Sequence, residues 1–173
     1  ERHVAAARDD YLPYPQRALR TKDHLFILNF KPDRWPLGNP YHLDEQPGPT
    51  AEQLTENTFT TLADEDAGPA KAWLVGQRDN PQWRALFDLA YAKRPEEELY
   101  ILADDPDEVD NVAADPKYVE IKQQLRAQLL AELERTGDPR LVDGGKFFET
   151  PPMAGPLEND NRGGGKKAAR KSN

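Results

Sequence analysis

The stretch that decides the fold is DPKYVEIKQQLRAQLLAELERTGDP, residues 115–139. Asp115 is a good helix cap, and Pro116 suits a first helical position, where its missing N–H costs nothing. Tyr118, Ile121, Leu125, Leu129 and Leu133 then recur at spacings of three and four, which places them along one helical face. Gly137 fits the position just past a helix end, where a left-handed backbone is common, and Asp138-Pro139 stops the chain from continuing. A helix with one apolar stripe has to cover something, and a small sheet is the simplest partner.

Strands for that sheet lie on the N-terminal side. Arg17–Thr21 reads as a short strand, and His24–Phe30 (HLFILNF) as a stronger one, rich in aromatic and β-favouring residues. The polar pair Lys22-Asp23 between them suits a tight turn, so the two form a predicted hairpin. Glu98–Leu102 is a third strand, ended by the turn Asp104-Asp105-Pro106. Residues 31–50 hold five prolines and two glycines and read as a long ordered loop. Residues 50–67 are polar and Thr-rich and show no clear period. Pro69 opens a predicted helix carrying Ala70, Trp73, Leu74 and Gln77. Asn80-Pro81 opens another, with Asn80 as its cap and Trp83, Leu86, Phe87 and Ala90 on one face. There is no internal repeat. The fold class expected is α+β: a small antiparallel sheet packed against one long C-terminal helix.

Composition sets the wider bounds. The 173 residues suffice for one domain, and 37% hydrophobic against 31% charged residues predicts one modest core with much loop around it. Pro151 onward has almost no large apolar side chain and reads as a disordered basic tail, residues 151–173, after a domain spanning 1–150. The net charge is −8, yet Arg162–Asn173 carries five basic residues and no acidic one. The rest of the chain therefore holds 18 basic and 31 acidic residues, a net of −13. An acidic body argues against a nucleic-acid groove and against attraction to an anionic membrane surface. The basic tail is the one segment suited to a polyanion, although such tails more often serve as solvated ends.

The chemistry is sparse. The chain has no cysteine, so it holds no disulfide and no thiolate metal site. Its single serine, Ser172, lies in the tail, which removes most covalent mechanisms. The histidines His3, His24 and His42 share no metal-site spacing. His24 and His42 read as structural or merely exposed. The acidic run Asp104–Glu108 lacks the glycine and alternating oxygen ligands of a calcium loop and reads as a solvated turn. Trp35, Trp73 and Trp83 read as anchors of core and loop rather than ligand platforms. The chain opens on Glu1 and its one Met is Met153, so the expectation is a partial polypeptide.

Several spans taken together resemble the C-terminal region of sulfatases. They are Arg17-Ala18-Leu19-Arg20-Thr21, Asn29-Phe30-Lys31-Pro32-Asp33-Arg34-Trp35-Pro36, Lys93-Arg94-Pro95, Glu98-Leu99-Tyr100, Asp105-Pro106, Glu108, Asn111-Val112-Ala113 and Asp115-Pro116. The nearest likeness is to the heparan N-sulfatase (sulfamidase) group and its bacterial-type relatives, over residues 1 to about 140. The resemblance implies a C-terminal subdomain of about four antiparallel strands under a long helix. It implies a catalytic N-terminal domain as partner and a sulfated glycan as substrate. It also implies hydrolysis of a sulfate ester or N-sulfate, in the periplasm or outside the cell. The parent's cofactors would be calcium and a formylglycine made from the Cys or Ser of a Cys/Ser-x-Pro-x-Arg motif. No such motif exists here, and Ser172 is not followed by Pro-x-Arg, so neither a catalytic nor a metal-binding residue is expected in this chain. Glu1-Arg2-His3 would enter near the boundary of the two domains. Arg2 and His3 are therefore the candidate substrate-binding residues, at the rim of the pocket. The rival expectation is a stand-alone binding or interaction module without catalysis.

Overall fold

A computed structural model describes residues 7–150. The sheet has three strands: β1 (Gln16–Arg20), β2 (His24–Asn29) and β3 (Glu97–Ile101), in the order β1-β2-β3 with both pairings antiparallel. The architecture is the expected α+β, with three strands in place of about four. The strand positions differ from the sequence reading by one residue. The hairpin is closed by Thr21, whose hydroxyl accepts from the backbone N–H of Asp23 and of His24. A side-chain turn of this kind replaces the Asn-Gly chemistry common in such loops.

The period of two divides the sheet into faces. Leu19, Phe26, Leu28 and Leu99 point to one side, where they meet the long helix α4 (Val119–Thr136). Phe26 and Leu99 are fully buried there, beside Leu125, Leu129 and Leu133 of the predicted stripe; Ile121 and Tyr118 pack at its margin. Asp115 accepts from Lys117 N–H and caps a single 3-10 turn, Pro116–Tyr118, which leads into α4. Gly137 ends α4 in the left-handed region, φ 69°. Two short helices follow, α5 (Pro139–Val142) and α6 (Lys146–Glu149).

A second apolar cluster corrects the expectation of one core. It unites Leu43, Leu54, Leu62, Val75, Phe87 and Tyr91. Three helices supply much of it: α1 (Ala51–Glu56), α2 (Pro69–Gly76) and α3 (Arg84–Tyr91). The segment read as aperiodic contains α1, built by a capping box. Thr50 Oγ1 accepts from Gln53 N–H, and Gln53 Oε1 accepts from Thr50 N–H. The helix α3 begins at Arg84 rather than at Pro81. Asn80 instead caps a turn through Gln82 N–H, and its carbonyl accepts from Trp83 and Arg84. The Pro-rich loop forms no helix or strand, as expected, and it docks on residues 62–64 through Leu62 N–H to the Asn39 carbonyl and Asp64 N–H to the Leu37 carbonyl, both 3.0 Å. The approach demands glycine at position 38, φ 96°, because a Cβ there would lie 2.8 Å from Ala63 N.

No helix among the described residues is long and apolar enough to cross a membrane. The basic tail, residues 151–173, lies outside the described residues.

Candidate functional site

Both sequence-predicted site residues, Arg2 and His3, lie outside the described residues. The other histidines stand apart. His24 is half-buried at the start of β2, opposite Ile101. His42 lies in the Pro-rich loop with its Nδ1 2.7 Å from Glu45 Oε1. The acidic run Asp104–Glu108 is a turn held from within. Asp105 is buried, and its carboxylate accepts from the N–H of Val109 and of Asp110, while Glu108 pairs with Arg20. Trp35 lends its carbonyl to Arg8 Nε, 2.8 Å, and its ring to Lys93, 5.4 Å away. Trp73 and Trp83 meet edge to face at 5.4 Å, with Trp73 44% exposed.

A concavity lies on the sheet face that α4 does not cover. Leu25, Ile27, Glu98 and Tyr100 form its floor, since they alternate with the core residues along the strands. Pro36 and Leu37 of the Pro-rich loop, Leu89 of α3 and Val109 after the acidic turn form its walls. The groove encloses about 480 Å³, within the range of small-ligand sites. Leu89 and Val109 are among the exposed large apolar residues, at 40% and 46%.

Half of its lining is polar or charged, and the groups on its floor are ordered. Glu98 is buried, accepting from Tyr100 O–H at 2.6 Å and from Asn29 Nδ2 at 2.7 Å. Burial, then its bond to Glu98, raises the Tyr100 pKa, so this hydroxyl stays a donor at neutral pH. Tyr14 lines the same groove, and its buried hydroxyl has no hydrogen-bond partner among the described residues. Burial, with the Glu98 charge next, pushes its pKa up to about 12. The Arg8 guanidinium stands 5.7 Å from the Tyr14 ring centroid. Arg8 is itself buried, paired with Asp64 at 2.7 Å and donating to the Trp35 and Pro36 carbonyls. The bond to the Pro36 carbonyl fastens the segment before β1 to the wall of the groove.

Such a site has the shape and the ordered donors to bind a small polar ligand, with Arg94, Asp107 and Glu108 also on its lining. Its tyrosines hold their protons, and both Glu98 oxygens are engaged by donors, so none of these is a free base or nucleophile. The spacing Glu98-x-Tyr100 on a strand is the signal that places these side chains on one face; the arrival of Tyr14 and Arg8 depends on loop packing and leaves no periodic trace. The implied calcium and formylglycine do not fit the residues present. Among the described residues no three His, Cys, Asp or Glu side chains gather where they could hold a metal ion, and the chain has no cysteine. In comparisons with known proteins, no family model and no curated protein matches the chain.

Proposed function

We propose that this chain is the C-terminal subdomain of a sulfatase, acting on sulfated glycans with a catalytic domain that supplies the formylglycine, the calcium and most of the cleft. Its role is to complete one side of that cleft and cover one side of the partner domain, in the periplasm or outside the cell. The bond cleaved is a sulfate ester or N-sulfate. Arg2 and His3 carry positive charge or hydrogen-bond donors to the sulfated sugar at the rim.

The observation that carries this reading is where the family-like residues fall. Asp105 ties the turn after β3. Asn111 accepts from the N–H of Leu99 and of Ala113, clipping the next segment to the β3 edge. Asp115 starts the long helix, and Trp35-Pro36 receives Arg8. Asp105, Asn111 and Asp115 thus serve one sheet-and-helix unit, and Trp35-Pro36 ties the segment before β1 to the loop beside it. The uncovered sheet face, with Leu89 and Val109 exposed beside it, supports a covering partner, because an apolar rim of that kind marks an interaction surface.

The test is the DNA immediately upstream of the Glu1 codon. The expected result is an in-frame extension with a Cys/Ser-x-Pro-x-Arg motif, whose product releases sulfate from sulfated glycans. A stop codon, or a start codon just before Glu1, overturns the reading. A second reading, a binding module that works alone through the groove, is favoured by the unpartnered Tyr14 hydroxyl and would then take its place.

A further inference from the structure

The two edges of the sheet are treated differently. At the β3 edge, Leu99 N–H donates to Asn111 Oδ1 and the Leu99 carbonyl accepts from Val112, both at 2.9 Å; the Ile101 carbonyl accepts from Asp104 and Asp105. That edge is covered. On β1, Phe30 N–H to the Pro15 carbonyl and Thr21 N–H to the His24 carbonyl bracket the pairing with β2. With the register Ala18↔Ile27, residues 17 and 19 direct their main-chain groups to β2, and Gln16, Ala18 and Arg20 direct theirs outward. These three residues are exposed. Among the described residues the Gln16 carbonyl accepts only from the Arg17 guanidinium, and the main-chain groups of Ala18 and Arg20 have no partner. An uncovered edge of this kind is a template for another strand.

We propose that the β1 edge pairs with the β1 edge of a second copy of this chain, joining two sheets into one of six strands about a two-fold axis at Ala18. The strand is self-complementary in that register. Ala18 faces Ala18 of the second copy, Gln16 faces Arg20, and Arg17 faces Leu19, so no like charges stand opposite one another. Arg17 and Arg20 are already neutralised, by Asp138 at 2.7 Å and by Glu108. Two-fold antiparallel pairing also keeps both helix layers on the same side of the joined sheet. The β1 end of that layer is α5 and α6. Asp138, at the start of α5, is held to Arg17, and Glu149, in α6, to Arg34, which donates to the Pro13 carbonyl just before β1. These two helices carry the most exposed large apolar side chains described, Val142 at 71% and Phe147 at 60%. Pairing through β1 brings the two apolar pairs toward each other across the axis. This inference does not rest on the sulfatase reading.

The test is sedimentation velocity of the 173-residue chain over a concentration series, with amide exchange read at Ala18 and Arg20. The expected result is a reversible species of twice the chain mass, in which both amides are protected. Ala18→Pro removes the central donor; because that N–H points away from β2, the β1–β2 ladder keeps its bonds. This variant should sediment as the single chain with unchanged far-ultraviolet circular dichroism. The double variant Val142→Asp/Phe147→Asp, at exposed positions outside the strand, should weaken association by at least about tenfold. It decides the matter together with amide exchange if Ala18→Pro fails to fold. A single-chain mass at every concentration overturns the proposal. So does a dimer whose Ala18 and Arg20 amides exchange as fast as in the monomer, or one that the double variant leaves intact.

Discussion

The sheet-and-helix half and the half spanning residues 37–91 solve the same burial problem by different means. In the first, periodic apolar residues meet: Phe26, Leu28 and Leu99 from the strands, and Leu125, Leu129 and Leu133 from α4. In the second, three short helices are drawn around a loop by polar anchors. Lys71 is 1% exposed, and its ammonium donates to the carbonyls of Thr58, Leu62 and Glu65 at 3.2, 3.1 and 2.8 Å. Tyr91 O–H reaches Glu65 Oε2 at 2.5 Å. Arg8 pairs with Asp64 at the margin. Apolar contact is nondirectional and tolerates small shifts, whereas a buried cation has to find its acceptors in place. The first half is therefore specified by pattern and the second by a few particular bonds.

The largest expected effect is in the patterned half. Phe26→Ala removes a fully buried ring from the centre of the sheet and should cost about 3–5 kcal/mol in urea unfolding. The comparison predicts that amides of β1–β3 and α4 lose protection together. If only β2 loosens, the half is not one cooperative unit. Lys71→Met comes next. It keeps the stem's bulk but strips three enclosed carbonyls of their donor, at a cost of about 3 kcal/mol. Amide exchange should quicken in residues 57–67 and in α2 while α4 is unchanged. Equal loosening of both halves would break the distinction. Thr50→Ala, which removes the capping-box hydroxyl of α1, should cost about 1 kcal/mol and raise exchange at Gln53.

The same contrast explains what was legible in the sequence. The stripe Tyr118–Leu133, the hairpin around Lys22-Asp23 and the strand Glu98–Leu102 are local periodic signals, and each has its counterpart in the fold. The α1 helix was hidden because it is six residues long with one buried apolar residue, Leu54, too short for a period. Its signal was the Thr50-x-x-Gln53 cap alone. Asn80-Pro81 misled because an Asn can cap a turn as well as a helix, and here its carbonyl and side chain close the turn before Arg84. The groove was legible in part. Strand alternation puts Glu98 and Tyr100 on one face, but Pro36 and Tyr14 reach it from 62 and 84 residues before Glu98 through loop packing that no window of residues records.

The smallest effect tests the seam between α4 and the chain end. Asp138 and Glu149 are pulled two ways: burial acts to raise their pKa values, and bonds to Arg17 for the one, to Arg34 and Arg140 for the other, outweigh it. Both values end below the ordinary 3.8 and 4.5 of these side chains. The folded chain therefore releases these protons more readily than the unfolded one, and the added stability is complete above the ordinary values. It fades as pH falls through the lowered folded values. Partly solvated pairs of this kind contribute under about 1 kcal/mol each. Acid should thus free α5 and α6 before it disturbs the sheet. The reporter is the Gly145 amide, which donates to the Pro139 carbonyl and to Asp143 Oδ1, both at 2.8 Å. Its protection relative to the intrinsic rate at each pH should fall as pH drops below the ordinary carboxylate range, while the Phe26 amide, in the centre of β2, stays protected. Simultaneous loss at both positions would mean that the patterned half, too, depends on its ion pairs.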